Sequence, residues 1–295
     1  MQMNRIPESE LVLNPDGSIY HLHLRNEHVA DNVILAGDPD RVEQVAAFFQ
    51  SIEFTVKNRE FYTITGIYNK QRITVLSTGI GTDNIDIVIN ELDAAVNVDL
   101  RSRVPLKERR SLNLIRIGTS GSLHEEIPVD SLVVSSYGLG LDGLVYYYDD
   151  FQVTDIEKEI SCQLNNHLNW DSHLSTPYIV SADQDLVKIM SGHMYSGITV
   201  TATGFYGPQG REIILKPRNR QMHESFRSFE FRGLRITNFE METSALYALG
   251  RMLGHRCCTC CAIIANRFTK EYSGDYKPVV DRLIEIVLQK LTTTS

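Results

Sequence analysis

Apolar residues follow two alternating patterns along the chain, short continuous runs and helical repeats. The runs NVILAG, RITVLSTG and LNLIRIGTSG have the length and composition of buried strands. After the first run, apolar residues recur at the spacing of one helix face, at Val42, Val45, Ala46 and Phe49. Further strands are predicted at DSLVVSSYG, ITVTATG, GLRITNFE and CCTCCAII.

The same spacing predicts more helices between and after these strands. Their apolar positions are Ile85, Val88, Ile89 and Leu92; Ile156, Ile160 and Leu164; and Val280, Leu283, Ile284, Val287 and Leu291. Another helix is predicted over 243–253 and ends at Gly254, since glycine readily adopts the left-handed conformation beyond a helix end. The alternation predicts an α/β fold, with one domain over residues 1–295 and a mixed central β-sheet flanked by helices.

Composition narrows the class of protein. Hydrophobic residues make up 42% of the chain and charged residues 22%, as in an ordinary soluble protein with a core. The formal charge of −8 disfavours nucleic acid or an anionic membrane as the main partner, because such binding needs clustered Lys and Arg. The first residues lack the apolar core of a signal peptide, and no apolar run reaches the roughly 18 residues of a membrane span, so we expect a cytoplasmic protein.

Four of the five cysteines are crowded into RCCTCC, which is not the pattern of a secreted disulfide framework. One interpretation is a zinc site with His255, although structural ligand pairs usually come with a second pair farther along the chain. The other is a buried strand built from small apolar side chains. We favour the strand, because an apolar run follows it and Gly254 ends the helix before it.

The segment GLGLDG, residues 138–143, matches the glycine pattern of dinucleotide sites. Such a site needs a helix to begin directly after the glycines, so that its N-terminal amides face the pyrophosphate. The residues that follow, LVYYYDDF, do not resemble such a helix start. We therefore reject a nicotinamide or flavin site here.

Glycine turns follow three of the predicted strands, in LAGDPDR, STGIGTDN and RIGTSG. Such turns present backbone N–H groups and hydroxyls to a small anion. Arg41 and Arg116 lie near two of them and add charge and bidentate geometry. Each turn alone is more often an ordinary strand-to-helix connection. Together, at strand ends, they predict a site for a phosphate-sized oxyanion. The sequence has no Walker lysine, so we do not expect a nucleoside triphosphate.

Two further segments carry polar side chains suited to a ligand. In NFEMETSALY, Glu240 and Glu242 would face one side of an extended chain and suit paired hydroxyls, as on a ribose; alternatively they are helix N-terminal acids favoured by the dipole. In FYGPQGR, Gln209 offers an acceptor and a donor beside the donors of Arg211, which matches the polar edge of uracil, with Phe205 against the base face. The alternative for FYGPQGR is a surface turn.

Taken in order, LAGDPDRV, NREF, STGIGTDN, IRIGTSG, FYGPQGR, NFEMETSAL and IIANR resemble the motifs of the nucleoside phosphorylase family. FYGPQGR resembles its uridine phosphorylase branch. The motifs run from about residue 33 to residue 267 and so cover most of the chain. The resemblance implies reversible phosphorolysis of uridine to uracil and ribose 1-phosphate, with inorganic phosphate as co-substrate and no cofactor.

The resemblance also implies roles for individual residues. The phosphate ligands would be Gly37, Arg41, Arg116 and Thr119, with Arg59 reaching in from a neighbouring subunit. The ribose contacts would be Glu240, Met241 and Glu242, with His21 from the partner, although His23 follows it closely. The base ligands would be Phe205, Gln209, Arg211 and Arg267. Arg116, Gln209 and Arg211 would be the catalytic groups, and the protein would be a homodimer or a hexamer built from dimers.

Some positions depart from the family. Asn84 replaces a serine that, with the counterparts of Glu60 and Ile80, can hold an interface cation in some members, which leaves a cation in doubt. The basic segment RSRVPLKERRS, residues 101–111, is expected to be a solvated surface that could alter assembly. Three alternative functions remain: a purine nucleoside phosphorylase, a nucleosidase that uses water, and a non-catalytic nucleoside-binding protein. Asn266 and Arg267 stand where purine-specific relatives typically have Asp, and the retained arginines argue against a nucleosidase.

Overall fold

A mixed β-sheet runs through the protein in the computed structural model, which describes residues 5–168 and 170–293. Its strands, with a separate two-stranded ribbon formed by β5 and β6, are β1 Asn32–Ala36, β2 Ser51–Asn58, β3 Phe61–Tyr68, β4 Gln71–Ser77, β5 Val98–Asp99, β6 Val104–Pro105, β7 Asn113–Ser122, β8 Leu132–Gly140, β9 Tyr178–Ser181, β10 Tyr195–Thr201, β11 Glu230–Phe231, β12 Leu234–Glu240 and β13 Arg256–Asn266. The helices are α1 Pro39–Ala46, α2 Thr82–Asn97, α3 Asp155–Leu168, α4 Gln184–Met190, α5 Met222–Arg227, α6 Thr243–Met252 and α7 Lys277–Thr293.

The strand order is β11-β12-β10-β8-β13-β7-β1-β4-β3-β2, and β9 pairs with β8. β1 runs parallel to both β4 and β7, whereas β13 is parallel to β7 and antiparallel to β8. β12 pairs with β10 and, antiparallel, with β7, so that β7, β13, β8, β10 and β12 close into a ring. The predicted α/β fold with a mixed central sheet is confirmed.

The predicted helices and strands are present, because their apolar faces are the ones that the fold buries. The stripes of α2 and α7 are fully covered, and each large apolar side chain removed from water contributes about 1.5–3 kcal/mol. In α1 the helix ends at Ala46, so Phe49 lies beyond it in the turn toward β2 and is half-buried. Within the described ranges, no helix is long and apolar enough to span a bilayer.

The cysteine-rich segment is the strand β13, which confirms that interpretation over a zinc site. Cys257, Cys258, Cys260 and Cys261 are buried free thiols. His255 instead lies 3.3 Å from Asp93. Among residues 5–168 and 170–293, no group of three or more His, Cys, Asp or Glu residues could hold a metal ion.

The basic segment 101–111 is more structured than expected. β6 lies within it and pairs with β5. Arg109 Nη2 donates to Asp93 over 2.7 Å, and Arg110 Nη2 donates to Asp31 over 2.6 Å and to the Val29 carbonyl over 3.0 Å. The segment is exposed or half-buried, as expected, and its guanidiniums also contact α2 and the residues before β1. After GLGLDG the chain forms a short 3₁₀ turn, Leu144–Tyr147, in place of the α-helix that a dinucleotide site requires.

Candidate active site

The carboxyl ends of β1 and β4 lie level with the middle of β7, where Gly37 and Arg116 lie together. Ala36 is level with Ser77 of β4 and with Ile117 of β7, and the Thr78 N–H donates to the Ala36 carbonyl over 2.7 Å. A Cβ on Gly37 would lie 3.4 Å from the Gly79 carbonyl oxygen and 3.8 Å from Arg116 Nη2. The glycine therefore leaves the backbone open beside a guanidinium.

Arg116 is buried beside the ends of β1 and β4. Its Nη2 donates to Glu242, and its Nε lies 3.9 Å from Glu240 Oε2. Burial opposes ionisation, but the carboxylates of Glu242 and Glu240 hold the pKa of Arg116 above its ordinary value. The buried Nε and Nη1 atoms have no hydrogen-bond partner among the described residues, and buried donors of this kind are rare unless they serve a ligand.

Arg41 extends from α1 toward the same strand ends. Its Nη1 lies 3.4 Å from the Ile117 carbonyl, and its buried Nε has no partner among the described residues. Burial and then repulsion from Arg116 lower the pKa of Arg41. Two neighbouring guanidiniums with unused N–H groups suit an anion. Thr119 is half-buried on β7 beyond Ile117, so the structure brings Gly37, Arg41 and Arg116 together and places Thr119 on the adjoining stretch of strand.

Arg59 and His21 lie close to each other, on the surface. Arg59 occupies the exposed turn between β2 and β3, with φ of +55°, and its guanidinium lies 5.9 Å from the ring centre of Tyr20. The side chain of Asn58 donates to the His21 carbonyl over 2.8 Å, and His21 Nδ1 lies 2.6 Å from Glu91. Among the described residues, no hydrogen bond or ion pair joins either residue to Arg41 or Arg116. Their service to a neighbouring subunit stays a prediction.

The two acidic residues have different partners, and Glu240 fits the interpretation of a helix N-terminal acid, while contact of either residue with a ribose stays a prediction. Glu240 accepts from the N–H groups of Glu242 and Thr243, as a carboxylate at the start of α6 would, and from Thr201 Oγ1 over 2.7 Å. Burial and then repulsion from Glu242 raise the pKa of Glu240, while Arg116 opposes the rise. Glu242 accepts from Arg116 and, over 2.8 Å, from the Gly81 N–H. Both carboxylates therefore face Arg116, with Met241 half-buried between them.

The predicted base ligands form a second cluster around Gln209. Its Oε1 accepts from Arg211 Nη1 over 2.6 Å and from Arg267 Nη2 over 3.0 Å. The Arg211 guanidinium lies 3.6 Å from the ring centre of Phe205, which is 51% exposed. Gln209 is only 3% exposed, whereas residues 205–208 are exposed, so FYGPQGR is a surface turn that carries one buried amide.

This base cluster carries two positive charges, and no carboxylate in the described part of the chain forms an ion pair with either of them. Burial lowers the pKa of Arg211 to about 10, and burial followed by repulsion from Arg211 lowers the pKa of Arg267 to about 10. A Cβ on Gly121 would lie 2.9 Å from Arg267 Nε, so the cluster packs on β7 five residues beyond Arg116. At about 3.3 Å per strand residue, the two arginine groups are separated by on the order of 15 Å of backbone.

The residues considered for an interface cation lie next to Gly79. A Cβ there would meet Asn84 Nδ2 at 2.4 Å and Glu60 Cγ at 3.2 Å. Asn84 Nδ2 lies 3.3 Å from the Ile80 carbonyl and donates to it, so that this oxygen is already an acceptor within the chain. A cation held by Glu60, Ile80 and Asn84 stays an untested expectation.

Three groups around these clusters were missed from the sequence. Cys261 borders Arg116, since a Cβ on Gly118 would lie 3.1 Å from its Sγ and 2.1 Å from Arg116 Nη1. Thr201 positions Glu240, and His223 Nε2 lies 2.7 Å from the Gln209 carbonyl. The glycine at position 118 in RIGTSG could have indicated from the sequence that a side chain packs closely against β7 there. Nothing local marks Cys261 or His223, because each reaches the site from another strand or helix.

Comparison with known proteins agrees with this arrangement. The model of the phosphorylase superfamily matches residues 31–290. The chain is 29% identical over 266 residues to a uridine phosphorylase of Thermococcus kodakarensis, covering 87% of this chain and 80% of that protein. It is 24% identical over 274 residues to a uridine phosphorylase of Haemophilus influenzae, covering 92% and 96%. A solved Trypanosoma brucei nucleoside phosphorylase that shows uridine phosphorylase activity superposes with a TM-score of 0.86 at 28% identity, over 96% of this chain and 99% of that chain. The chain belongs to the phosphorylase superfamily.

Proposed function

We propose that this protein catalyses the reversible phosphorolysis of uridine to uracil and ribose 1-phosphate, in pyrimidine nucleoside catabolism and salvage. One observation carries the proposal: beside the ends of β1 and β4, Arg41 and Arg116 have buried guanidinium nitrogens with no hydrogen-bond partner among the described residues, next to Glu242. Such groups suit inorganic phosphate as co-substrate. The uridine phosphorylase activity of the similar proteins named above supports the same conclusion.

The proposed mechanism follows from the order of the two clusters along β7. Phosphate held by Gly37, Arg41, Arg116 and Thr119 attacks the anomeric carbon as the sugar–base bond breaks, while Glu242 and Met241 hold the ribose. The electron pair of the broken bond leaves with uracil, and its negative charge is stabilised by the cationic side chains of Arg211 and Arg267 more than neutral substrate is. The reaction forms one bond and breaks one, so it needs no cofactor and no covalent enzyme nucleophile.

Base selection depends on the amide of Gln209 together with the two guanidiniums. Cytosine would present an amino donor to Arg211 and lose a hydrogen bond, which a buried polar site penalises strongly. Asn266 is not available to a purine, because its Nδ2 donates to the carbonyls of His124 and Ile127 and its Oδ1 accepts from two N–H groups of the following turn. This favours a pyrimidine over a purine nucleoside.

The proposal extends to assembly and partners. Arg59 and His21 complete a neighbouring subunit's site, so the active form is a homodimer or a hexamer built from dimers, located in the cytoplasm. The substrates are small molecules, and neither nucleic acid nor membrane is a partner. The formal charge of −8 supports this, since the arginines act locally within an acidic protein.

The test is uracil release from uridine with and without phosphate, with inosine as a second substrate. We expect phosphate-dependent release from uridine and little turnover of inosine. Arg211→Ala should reduce kcat/KM for uridine by about 10²-fold or more while the protein stays folded, as loss of a charge-stabilising donor does. Arg220→Ala is the control, since the ion pair that Arg220 forms with Glu212 is exposed.

Each alternative function predicts a different result. A nucleosidase would release uracil equally well without phosphate, and a nucleoside-binding protein would release none. A purine enzyme would prefer inosine. Near-normal uridine kinetics in Arg211→Ala would disprove the proposed base recognition even if the reaction itself were phosphorolysis.

A further inference from the structure

The main-chain carbonyl of Gln209 has a partner outside its own loop. Within the loop, the N–H groups of Gln209 and Arg211 donate to the Tyr206 carbonyl over 3.0 and 2.9 Å, and the Gly210 N–H donates to the Gly207 carbonyl over 2.9 Å. The Gln209 carbonyl lies 2.7 Å from His223 Nε2. Since a carbonyl can only accept, His223 donates from Nε2, which fixes the tautomer of a neutral ring.

His223 reaches the loop from a firmly packed helix. Met222 and Phe226 of α5 are buried, and the Phe226 ring contacts the Phe239 ring of β12 with centroids 5.5 Å apart. The His223 ring itself lies edge-on to Phe239 at 5.6 Å. The imidazole therefore has little freedom to move. Through it, the Gln209 carbonyl is held in a fixed position relative to the core.

The loop is shaped to receive this ring. Gly210 has a φ of +67°, in the left-handed region, and a Cβ on it would lie 2.9 Å from His223 Nε2 and 3.1 Å from Cε1. Glycine thus satisfies both the turn and the close approach of the ring. Burial lowers the pKa of His223, and the cations Arg267, Lys270 and Arg211 lower it further against the effect of the Gln209 carbonyl. The neutral donor is the form expected at neutral pH.

We propose that His223 is a positioning residue for nucleobase recognition: by holding the 209–210 peptide plane, it aims the Gln209 amide and the Arg211 guanidinium at the base. His223 does not itself touch the substrate. The inference rests on the function proposed above and adds a residue that determines affinity for the nucleoside. Its effect is therefore expected in the KM for uridine and in the affinity for uracil, with little effect on phosphate.

Two variants separate the hydrogen bond from the packing. His223→Phe keeps a ring against Gly210 and Phe239 but removes the donor, and we expect the KM for uridine to rise about 10-fold, the worth of one buried hydrogen bond. The KM for phosphate should stay within about 2-fold. His223→Gln restores an N–H donor at similar reach and should recover most of the uridine affinity.

His167 provides a matched control, because its Nε2 also lies 2.9 Å from a backbone carbonyl, that of Ser225 in the same helix α5, away from the base cluster. His167→Phe should leave the KM for uridine unchanged. If both KM values stayed at their wild-type levels in every variant, the inference would be overturned. It would also be overturned if His223→Phe and His223→Gln lost affinity for uridine to the same extent. If the wild-type protein did not act on uridine, the proposed function would fail separately. Long-range imidazole NMR would then still decide the hydrogen bond, since an Nδ1–H tautomer at His223 contradicts it and an Nε2–H tautomer supports it.

Discussion

Gly118 and Arg116 are two residues apart on β7, so their side-chain positions share one face of the strand. The Arg116 guanidinium folds back over Gly118, where a side chain would otherwise stand. Cys261 of the adjacent β13 borders the same space. The guanidinium points toward Glu242, beside the ends of β1 and β4. This direction therefore depends on the absence of a Cβ at position 118.

This packing makes Gly118→Ala a sensitive test of the phosphate cluster. The new methyl would lie 2.1 Å from Arg116 Nη1, so the guanidinium must move, and overpacking in such a site costs about 1–3 kcal/mol. We expect the KM for phosphate to rise by about 10-fold or more, measured by initial rates at saturating uridine. Gly274→Ala is the control, because a Cβ there meets nothing within 4 Å. An unchanged KM for phosphate in Gly118→Ala would show that Arg116 is not held where phosphate binds.

The residue types of the site could be predicted from the sequence, whereas the distant residues that contact and support them could not. Gln209 and Arg211 are two residues apart, so their complementarity to a base edge can be read locally, and the structure does place them together. The support from His223 and the contact of Cys261 with Arg116 arise from strand order and helix docking, which bring distant segments together. Sequence patterns report the local geometry of a strand or turn, and these contacts depend on the tertiary arrangement.

At the scale of elements, prediction succeeded where one face or both faces are buried. The stripes of α2 and α7 and the apolar runs of β1 and β7 are the segments that the core covers. β2 was missed because SIEFTVKN is largely exposed and mixes polar with apolar positions, whereas β3 was missed although most of FYTITGIY is buried. α4 and α5 were missed because seven and six residues are too few to show a helical period.

Glu157 joins three elements, since it lies on α3 and bonds both β9 and α6. It accepts from the Ser181 N–H over 2.6 Å and from Arg251 Nη2 over 2.6 Å. Burial alone would raise the pKa of Glu157, but the hydrogen bonds from Arg251, Thr154 and Ser181 lower it from 4.5 to about 2. A carboxylate with a lowered pKa stabilises the folded state above its unfolded pKa, and this contribution is lost as the pH falls through the folded value.

We therefore expect Glu157→Gln to lower the free energy of unfolding by about 3 kcal/mol at pH 7, because it leaves Arg251 without its buried carboxylate. The difference from wild type should stay constant down to about pH 5 and then shrink toward pH 2, where wild-type Glu157 is also protonated. Urea unfolding at a series of pH values measures it. Glu159→Gln on the same helix removes only an exposed pair with Arg232 and should cost less than about 1 kcal/mol. A difference that grew on acidification would contradict this account.

At the scale of the whole molecule, an acidic protein holds at the site those buried guanidinium nitrogens that have no hydrogen-bond partner among the described residues. The formal charge is −8, yet Arg41, Arg116 and Arg267 all retain a buried guanidinium nitrogen without a partner among the described residues. Arg59 differs, because it is exposed on the β2–β3 turn, where its guanidinium lies 5.9 Å from the ring centre of Tyr20. The function proposed above assigns Arg59 to phosphate binding in another copy of the chain, as residues across an isologous interface can do.

Subunit complementation tests this arrangement directly. Arg59→Asn removes the guanidinium while keeping a residue that tolerates a positive φ, and Arg41→Met removes a phosphate ligand while retaining an apolar stem. Each variant alone should be nearly inactive. Equal amounts that exchange subunits should form mixed dimers in half of the population, and each mixed dimer has one complete site. About a quarter of the wild-type activity should therefore return, as two-fold symmetry requires. A mixture that stays inactive after proven exchange, by native mass spectrometry, would show that Arg59 acts within its own subunit, because every site would then carry one of the two defects.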